Sequence, residues 1–340
     1  MVDGGIEHQT EIRRTRRSPT AFLALVGTIV LAVAVLLLLW GSDGDDQGGE
    51  AAPEPTSTST PSTARPTPLP VVHVIADTDD GPQPATTASG PGTDPGDRFE
   101  AVQSTPVLTD GRIAVLVDGG TVLAGAPGDA FHRVGPDAPS SALVASNEPG
   151  HVWVAGPGDE LSLVSLDGIP NRVRIPLDGD RVLGPATFGV VTVGSDGAVA
   201  WRRPSFDPSP VPLPSGRTAV DAGGEVVLVE RSLGDEVGQG FELLAVTDGA
   251  VVQDFLVGPS DRAAALAPDG SVVALPSGFG WTVRDVSSRA ELGSLPRAPG
   301  IPVWIGDGRF AVLVDGAVVV SDGRQLSPPW RVRDLAERSP

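Results

Sequence analysis

Hydrophobic and polar positions divide this 340-residue chain into three regimes. The first is an uncharged apolar run, Thr20–Trp40, with Arg13, Arg14, Arg16 and Arg17 before it and Asp43, Asp45 and Asp46 after it. At a rise of about 1.5 Å per residue it predicts a helix of roughly 30 Å, the thickness of a bilayer's hydrocarbon core. From Gly41 to Arg98 the chain is rich in Pro, Thr, Ser, Gly and Asp and has no apolar period. Beyond Phe99, short Val/Leu/Ala runs alternate with Gly, Pro and Asp, the pattern of many short strands. Gly or Pro interrupts every incipient helical period there, so the domain is read as all-β. The division is a cytoplasmic tail at 1–19, a transmembrane helix at 20–40, a linker at 41–98 and a β domain at 99–340.

The charges fix the direction of the apolar run. Four arginines on its N-terminal side keep that end in the cytoplasm and send the long C-terminal part across the membrane. A cleaved signal peptide is the alternative. Its apolar region is typically only about 7–15 residues, and a small-x-small cleavage site should follow it. The exit here, Leu38-Leu39-Trp40-Gly41-Ser42-Asp43, has none, and Trp40 suits an interfacial anchor. The following stretch, with its core at 51–70, buries too little apolar surface to order itself and reads as a semi-extended, disordered spacer. Its Ser/Thr-Pro tracts also suit O-glycosylation. One β-prone island, Val71–Ala76, interrupts it, either as a strand docked on the folded domain or as an apolar patch in the spacer.

Asp110–Ala124 and Asp307–Ser321 are nearly the same hairpin, 197 residues apart, and four further hairpins fit between them. Their turns centre near 118, 157, 196, 236, 278 and 315. This spacing is close to the ~40–45 residues of a four-stranded propeller blade. Upstream candidates for inner strands are Ser141–Ser146, Thr218–Asp221, Ala263–Ala267 and Pro302–Ile305. Downstream candidates for outer strands are Phe131–Val134, Arg172–Ile175, Val251–Leu256 and Glu291–Leu295. The expectation is a six-bladed β-propeller, with five or seven blades as alternative counts. A β-sandwich does not predict the even spacing. Within one unit, Leu266-Ala-Pro-Asp-Gly-Ser-Val-Val-Ala-Leu275, followed by Trp281–Val286, resembles a blade of WD-repeat-like bacterial propellers. The Gly-His and Trp-Asp pairs of true WD repeats are absent, and Arg284-Asp285 stands where Trp-Asp would be. The resemblance therefore implies a fold and no functional residues.

Composition narrows the classes. There is no cysteine, hence no disulfide framework, thiolate nucleophile or zinc-cysteine site. Every Lys/Arg position is arginine and tyrosine is absent, a bias that resembles exported proteins of high-GC Gram-positive bacteria. The four arginines against Asp3, Glu7 and Glu11 give the first twenty residues +1, which leaves −20 of the total −19 beyond them. So acidic a domain is unsuited to nucleic acid or anionic lipid headgroups.

Candidate chemistry is sparse. His73, His132 and His151 form no spaced metal pair. No Gly-x-Ser-x-Gly elbow appears. Asp77-Thr-Asp-Asp-Gly81 begins like a calcium loop but lacks its register and its downstream glutamate. Ser195–Trp201 matches neither a sialidase aspartate box nor a quinoprotein tryptophan motif. Trp153, Trp201, Trp281 and Trp304 read as packing between blades, with carbohydrate stacking as the sharper alternative. The Arg231–Gly240 loop, carrying Asp235 and Glu236, is the longest hairpin insertion and the expected variable loop. No catalytic, cofactor or metal residue is assigned, and no cofactor is expected. The functional expectation is a membrane-anchored extracytoplasmic propeller that binds a protein or a cell-envelope polymer, with residues 20–40 in the bilayer. The alternatives are a cell-wall carbohydrate- or lactone-acting hydrolase, with channel carboxylates roughly 5–9.5 Å apart, and a spacer or sensor paired with another membrane protein.

Overall fold

Asp-Gly pairs punctuate the strands by a specific backbone mechanism. Asp315 and Gly316 hold φ of 49° and 83°, and Asp307 and Gly308 hold 53° and 73°. Two successive positive φ values make the turn whose twist matches that of the flanking strands, which favours Asp-Gly there. A computed structural model describes residues 70–340, apart from 80, 90, 92–98, 100, 127–128, 137–138, 170–171, 234–238, 259 and 261. The tail at 1–19, the apolar run at 20–40 and the spacer up to residue 69 lie outside the described residues. Among the described residues no helix is long and apolar enough to cross a membrane.

Seven sheets follow one another around a ring. In blades 1 to 6 the strands run from the innermost outward in chain order. Blade 1 comprises Val107–Thr109, Arg112–Val117, Thr121–Gly125 and His132–Val134; blade 2 comprises Ala142–Ala145, His151–Ala155, Glu160–Ser165 and Arg174–Pro176. Blade 3 runs through Arg181–Ala186, Gly189–Val193, Val199–Arg202 and Ser209–Val211, and blade 4 through Arg217–Gly223, Val226–Ser232, Gln239–Ala245 and Val251–Val257. Blade 5 contains Ala265–Leu266, Val272–Ser277, Gly280–Asp285 and Glu291–Pro296, and blade 6 Val303–Gly306, Arg309–Val314, Ala317–Val320 and Gln325–Leu326. All six hairpins expected from the repeat are the second and third strands of these blades.

Blade 7 is assembled from distant parts of the chain. Arg331–Leu335 is its inner strand, and His73–Thr78 and Gly81–Thr86 add to it in that order. The ring thus has seven blades rather than six, the larger of the alternative counts. Val71–Ala76 therefore takes its docked alternative, most of it as a strand in the middle of the closing blade. Pro82 and Pro84 lie on Gly81–Thr86, an edge strand among the described residues, where a missing N–H costs no ladder bond.

Among the described residues the ring carries seven hydrophobic clusters, one between each pair of successive blades. Trp281, Val283, Trp304 and Phe310 join blades 5 and 6, for example, while Ile75, Leu108, Ile113 and Val115 join blades 7 and 1. Seven interfaces for seven blades leave no unpaired flank, so each blade is buried on both faces. Inner strands approach so closely that only glycine fits at some positions. A β-carbon on Gly223 would lie 2.1 Å from the Ala267 carbonyl oxygen of the next blade.

Candidate functional site

The inner strands converge on a central channel, and one further strand narrows it. Beyond the blade 7 inner strand, Glu337–Arg338 pairs in parallel with Val107–Thr109 on the channel side of blade 1. The Glu337 N–H donates to the Pro106 carbonyl at 2.8 Å, and Ser339 N–H donates to that of Leu108 at 2.7 Å. Beside this strand lies a cavity of about 480 Å³, within the usual range for small-ligand sites. The inner strands of blades 2, 3, 4 and 5 contribute to its wall.

Three carboxyl groups line this cavity, those of Asp180, Asp221 and Glu337. A register shift between Ala219 and Asp221 re-aims the blade 4 inner strand, as bulges do. Asp221 Oδ2 then accepts the Leu266 N–H of blade 5 at 2.7 Å, and its Oδ1 accepts the Ala222 N–H at 2.8 Å. Burial pushes the Asp221 carboxyl up to about 7, against these two hydrogen bonds, and the Glu337 charge adds to the rise. Burial alone pushes Glu337 up to about 7, and its carboxyl has no hydrogen-bond or ion-pair partner among the described residues. Of the other charged groups at the cavity, Asp180 is held by Arg202 at 2.8 Å and Arg181 is exposed at the rim. Nothing in the sequence marked Glu337, which reads as one charge in an Arg/Asp/Glu-rich stretch. Its role follows from the parallel pairing with blade 1.

A second recess, of about 520 Å³, opens between blades 5 and 6, walled by Arg262, Trp281 and the connection Arg297–Ile301. Trp281 is buried and donates its indole N–H to the Ala263 carbonyl at 2.8 Å. Arg262 stacks 5.5 Å from the Trp281 ring centroid and donates to the carbonyls of Ser277 and Gly280, at 2.9 and 3.3 Å. That bracing fixes the turn that presents Phe279, which is 93% exposed, and the wall of the recess carries Ile301 at 59%.

The sequence-predicted positions scatter. His132 donates from Nε2 to the Leu166 carbonyl of blade 2, His151 sits 3.7 Å from Glu148, and His73 lies on blade 7. Burial and then the Arg338 charge lower the His73 pKa. Among the described residues no three His, Cys, Asp or Glu side chains gather as a metal site. Asp77 lies 3.6 Å from Arg333 and Thr78 closes the turn on the Gly81 carbonyl, so this acidic stretch is a hairpin connection; Asp80 is outside the described residues. In Ser195–Trp201, Asp196 only caps its own turn through the Ala198 N–H. Trp153, Trp281 and Trp304 are buried between blades, while Trp201 is half-buried beneath Arg203, 4.2 Å from its ring centroid. Asp235 and Glu236 lie outside the described residues.

No protein-family model and no curated protein matches this sequence. Among solved structures, the chain is similar to Hsv2 of Kluyveromyces lactis, at 16% identity and TM-score 0.41, over 74% of this chain and 90% of that one. It is also similar to hydrazine synthase of Kuenenia stuttgartiensis, at 12% identity and TM-score 0.42, over 70% of this chain and 88% of that one. The β-propeller domain of Cps50 (Swd1) from Myceliophteria thermophila matches at 11% identity and TM-score 0.45, over 71% of this chain and 91% of that one. Likenesses this distant carry no argument about activity. The described residues form an all-β, seven-bladed propeller.

Proposed function

We propose that the chain is a single-pass membrane protein, N-terminus in the cytoplasm, that holds its propeller outside the membrane to bind a protein or an envelope polymer. The Thr20–Trp40 run and the four preceding arginines support the topology. The observation that carries the binding reading is the braced recess between blades 5 and 6. A rigid ring there exposes Phe279 and Ile301 beside a cation-lined hollow, the arrangement of an aromatic anchor with a polar rim. The rival hydrolase needs two carboxyl groups free to act on either side of a glycosidic bond. Asp221 spends both oxygens on backbone N–H groups, which favours binding over catalysis.

Two measurements test this on the full chain in a bacterial membrane. External protease is expected to remove the propeller from intact spheroplasts, while an alkaline wash leaves the chain in the membrane. A propeller that is protected, or a chain that washes off, overturns the topology. In cross-linking capture, the double variant Phe279→Ala, Ile301→Ala is expected to lose the partner retained by the unaltered protein. Undiminished capture by that variant removes the recess from the binding reading.

A further inference from the structure

We infer that the channel cavity beside Glu337 is a binding site for an organic cation, a primary ammonium carried on a short apolar stem. Two of the three carboxyl groups there, Asp221 and Glu337, differ in what the fold asks of them. Asp221 has a structural task, joining the inner strands of blades 4 and 5 through the Leu266 N–H. Glu337 has none: its backbone makes the parallel pairing with blade 1, and its carboxyl faces the cavity without a partner among the described residues. Glu337 is half-buried, so its unpaired carboxyl is an acceptor that a cationic donor entering the cavity can reach and partly desolvate.

The cavity's shape and lining select the cation. Leu143, Val144, Leu183, Pro185, Leu266 and Pro268 give it an apolar wall suited to an alkyl stem. No aromatic side chain lines it, so it offers no stacking surface to a sugar ring. A hard divalent ion takes about six to eight oxygen ligands, and three carboxyl groups, one paired with Arg202 and one already accepting two N–H bonds, fall well short. An ammonium needs only three acceptors, and the site offers Glu337, the remaining lone pairs of Asp221 and the hydroxyls of Ser104 and Thr105. Arg181 stands at the rim, and Asp180 is neutralised by Arg202, so the net negative charge is concentrated at Asp221 and Glu337.

The test is calorimetric titration of the full chain in detergent with n-butylammonium chloride, 1-butanol and calcium chloride, on the unaltered protein and on Glu337→Gln and Asp221→Asn. The amine alone is expected to saturate, at concentrations of about 1–10 mM. Glu337→Gln, which keeps the side-chain shape, should weaken it at least about tenfold. A thermal melt of Glu337→Gln no lower than that of the parent shows that the variant is folded. Butanol binding as tightly as the amine would show an apolar hole without charge recognition. Calcium saturation lost in Glu337→Gln would make this a metal site. Amine binding unchanged in Glu337→Gln, or absent altogether from the parent, would overturn the proposal outright.

Discussion

A single carboxylate, Glu242, ties three strands of blade 4 together. Arg217 on the inner strand donates to it from Nε at 2.7 Å and Nη2 at 2.9 Å, and Arg231 on the second strand approaches from Nη1 at 2.9 Å. Glu242 is only 3% exposed, and the Arg217 hydrogen bond holds its carboxyl below the usual carboxylate range. Its contribution is therefore present at neutral pH and is lost as pH falls through that lowered value. Removing the carboxylate leaves Arg217 facing Arg231 across a directly registered pair. Glu242→Ala is accordingly expected to cost about 3 kcal/mol, read as a lower urea midpoint at unchanged slope. A midpoint that does not move would show that the two arginines are satisfied by water. This network was illegible in the sequence because its members are brought together by strand register. The tryptophans were more legible, since large aromatics in β-prone runs have few places to go other than the layer between blades. Trp201 also packs against the cluster between blades 3 and 4, but only half-buried, with Arg203 covering its outer face.

At the scale of elements, legibility followed locality. Each of the six central hairpins pairs strands that are adjacent in the chain, so alternation and turn chemistry sufficed to find it. Inner strands such as Val303–Gly306 were found where they are apolar, whereas Val107–Thr109 and Arg181–Ala186 carry too little pattern. Blade 7 was open in the sequence because its pairing spans most of the chain, and because Gly81-Pro-Gln-Pro-Ala-Thr86 has a spacer's composition. Burial decides the matter. Ile75 is fully buried, opposite Pro84 on one side and Asp334 on the other, and packs into the cluster between blades 7 and 1. Ile75→Asp places an unpaired charge there and should release the two N-terminal strands. The expected result is a loss of more than about 4 kcal/mol in stability, with new proteolytic cleavage within 73–86. A variant with the parent's melting temperature and protection pattern would remove these strands from the ring.

At the scale of the whole molecule, two different reservoirs of negative charge act on stability, and salt separates them. One is the surface excess behind a formal net charge of −19, whose self-repulsion is screened over about 8–10 Å at ordinary ionic strength. The other is the half-buried channel pair, which salt screens less than exposed charges. Asp221 and Glu337 have folded values raised to about 7 from 3.8 and 4.5. As pH rises from the ordinary carboxylate range, the unfolded chain therefore gives up these protons first. Stability is fullest below that range, declines up to about 7 and is level above it, at no more than ~1.4 kcal/mol per pH unit for each group. Asp334, also raised by burial, acts in the same sense, whereas His73, lowered from 6.5, gains stability with rising pH below that value. Glu242 and Asp285, both lowered, act only at more acidic pH and leave this window clear. Urea midpoints at pH 5 and pH 8 should therefore differ in favour of pH 5, and the difference should shrink but survive in about 0.5 M salt. What survives is expected to fall in Glu337→Gln, which should be more stable than its parent at pH 8 because only Asp221 of the pair then has to ionise. If salt abolishes the whole difference, or Glu337→Gln leaves it intact, the negative charge that governs this ring lies on its surface and the channel carboxyls are solvated like any other.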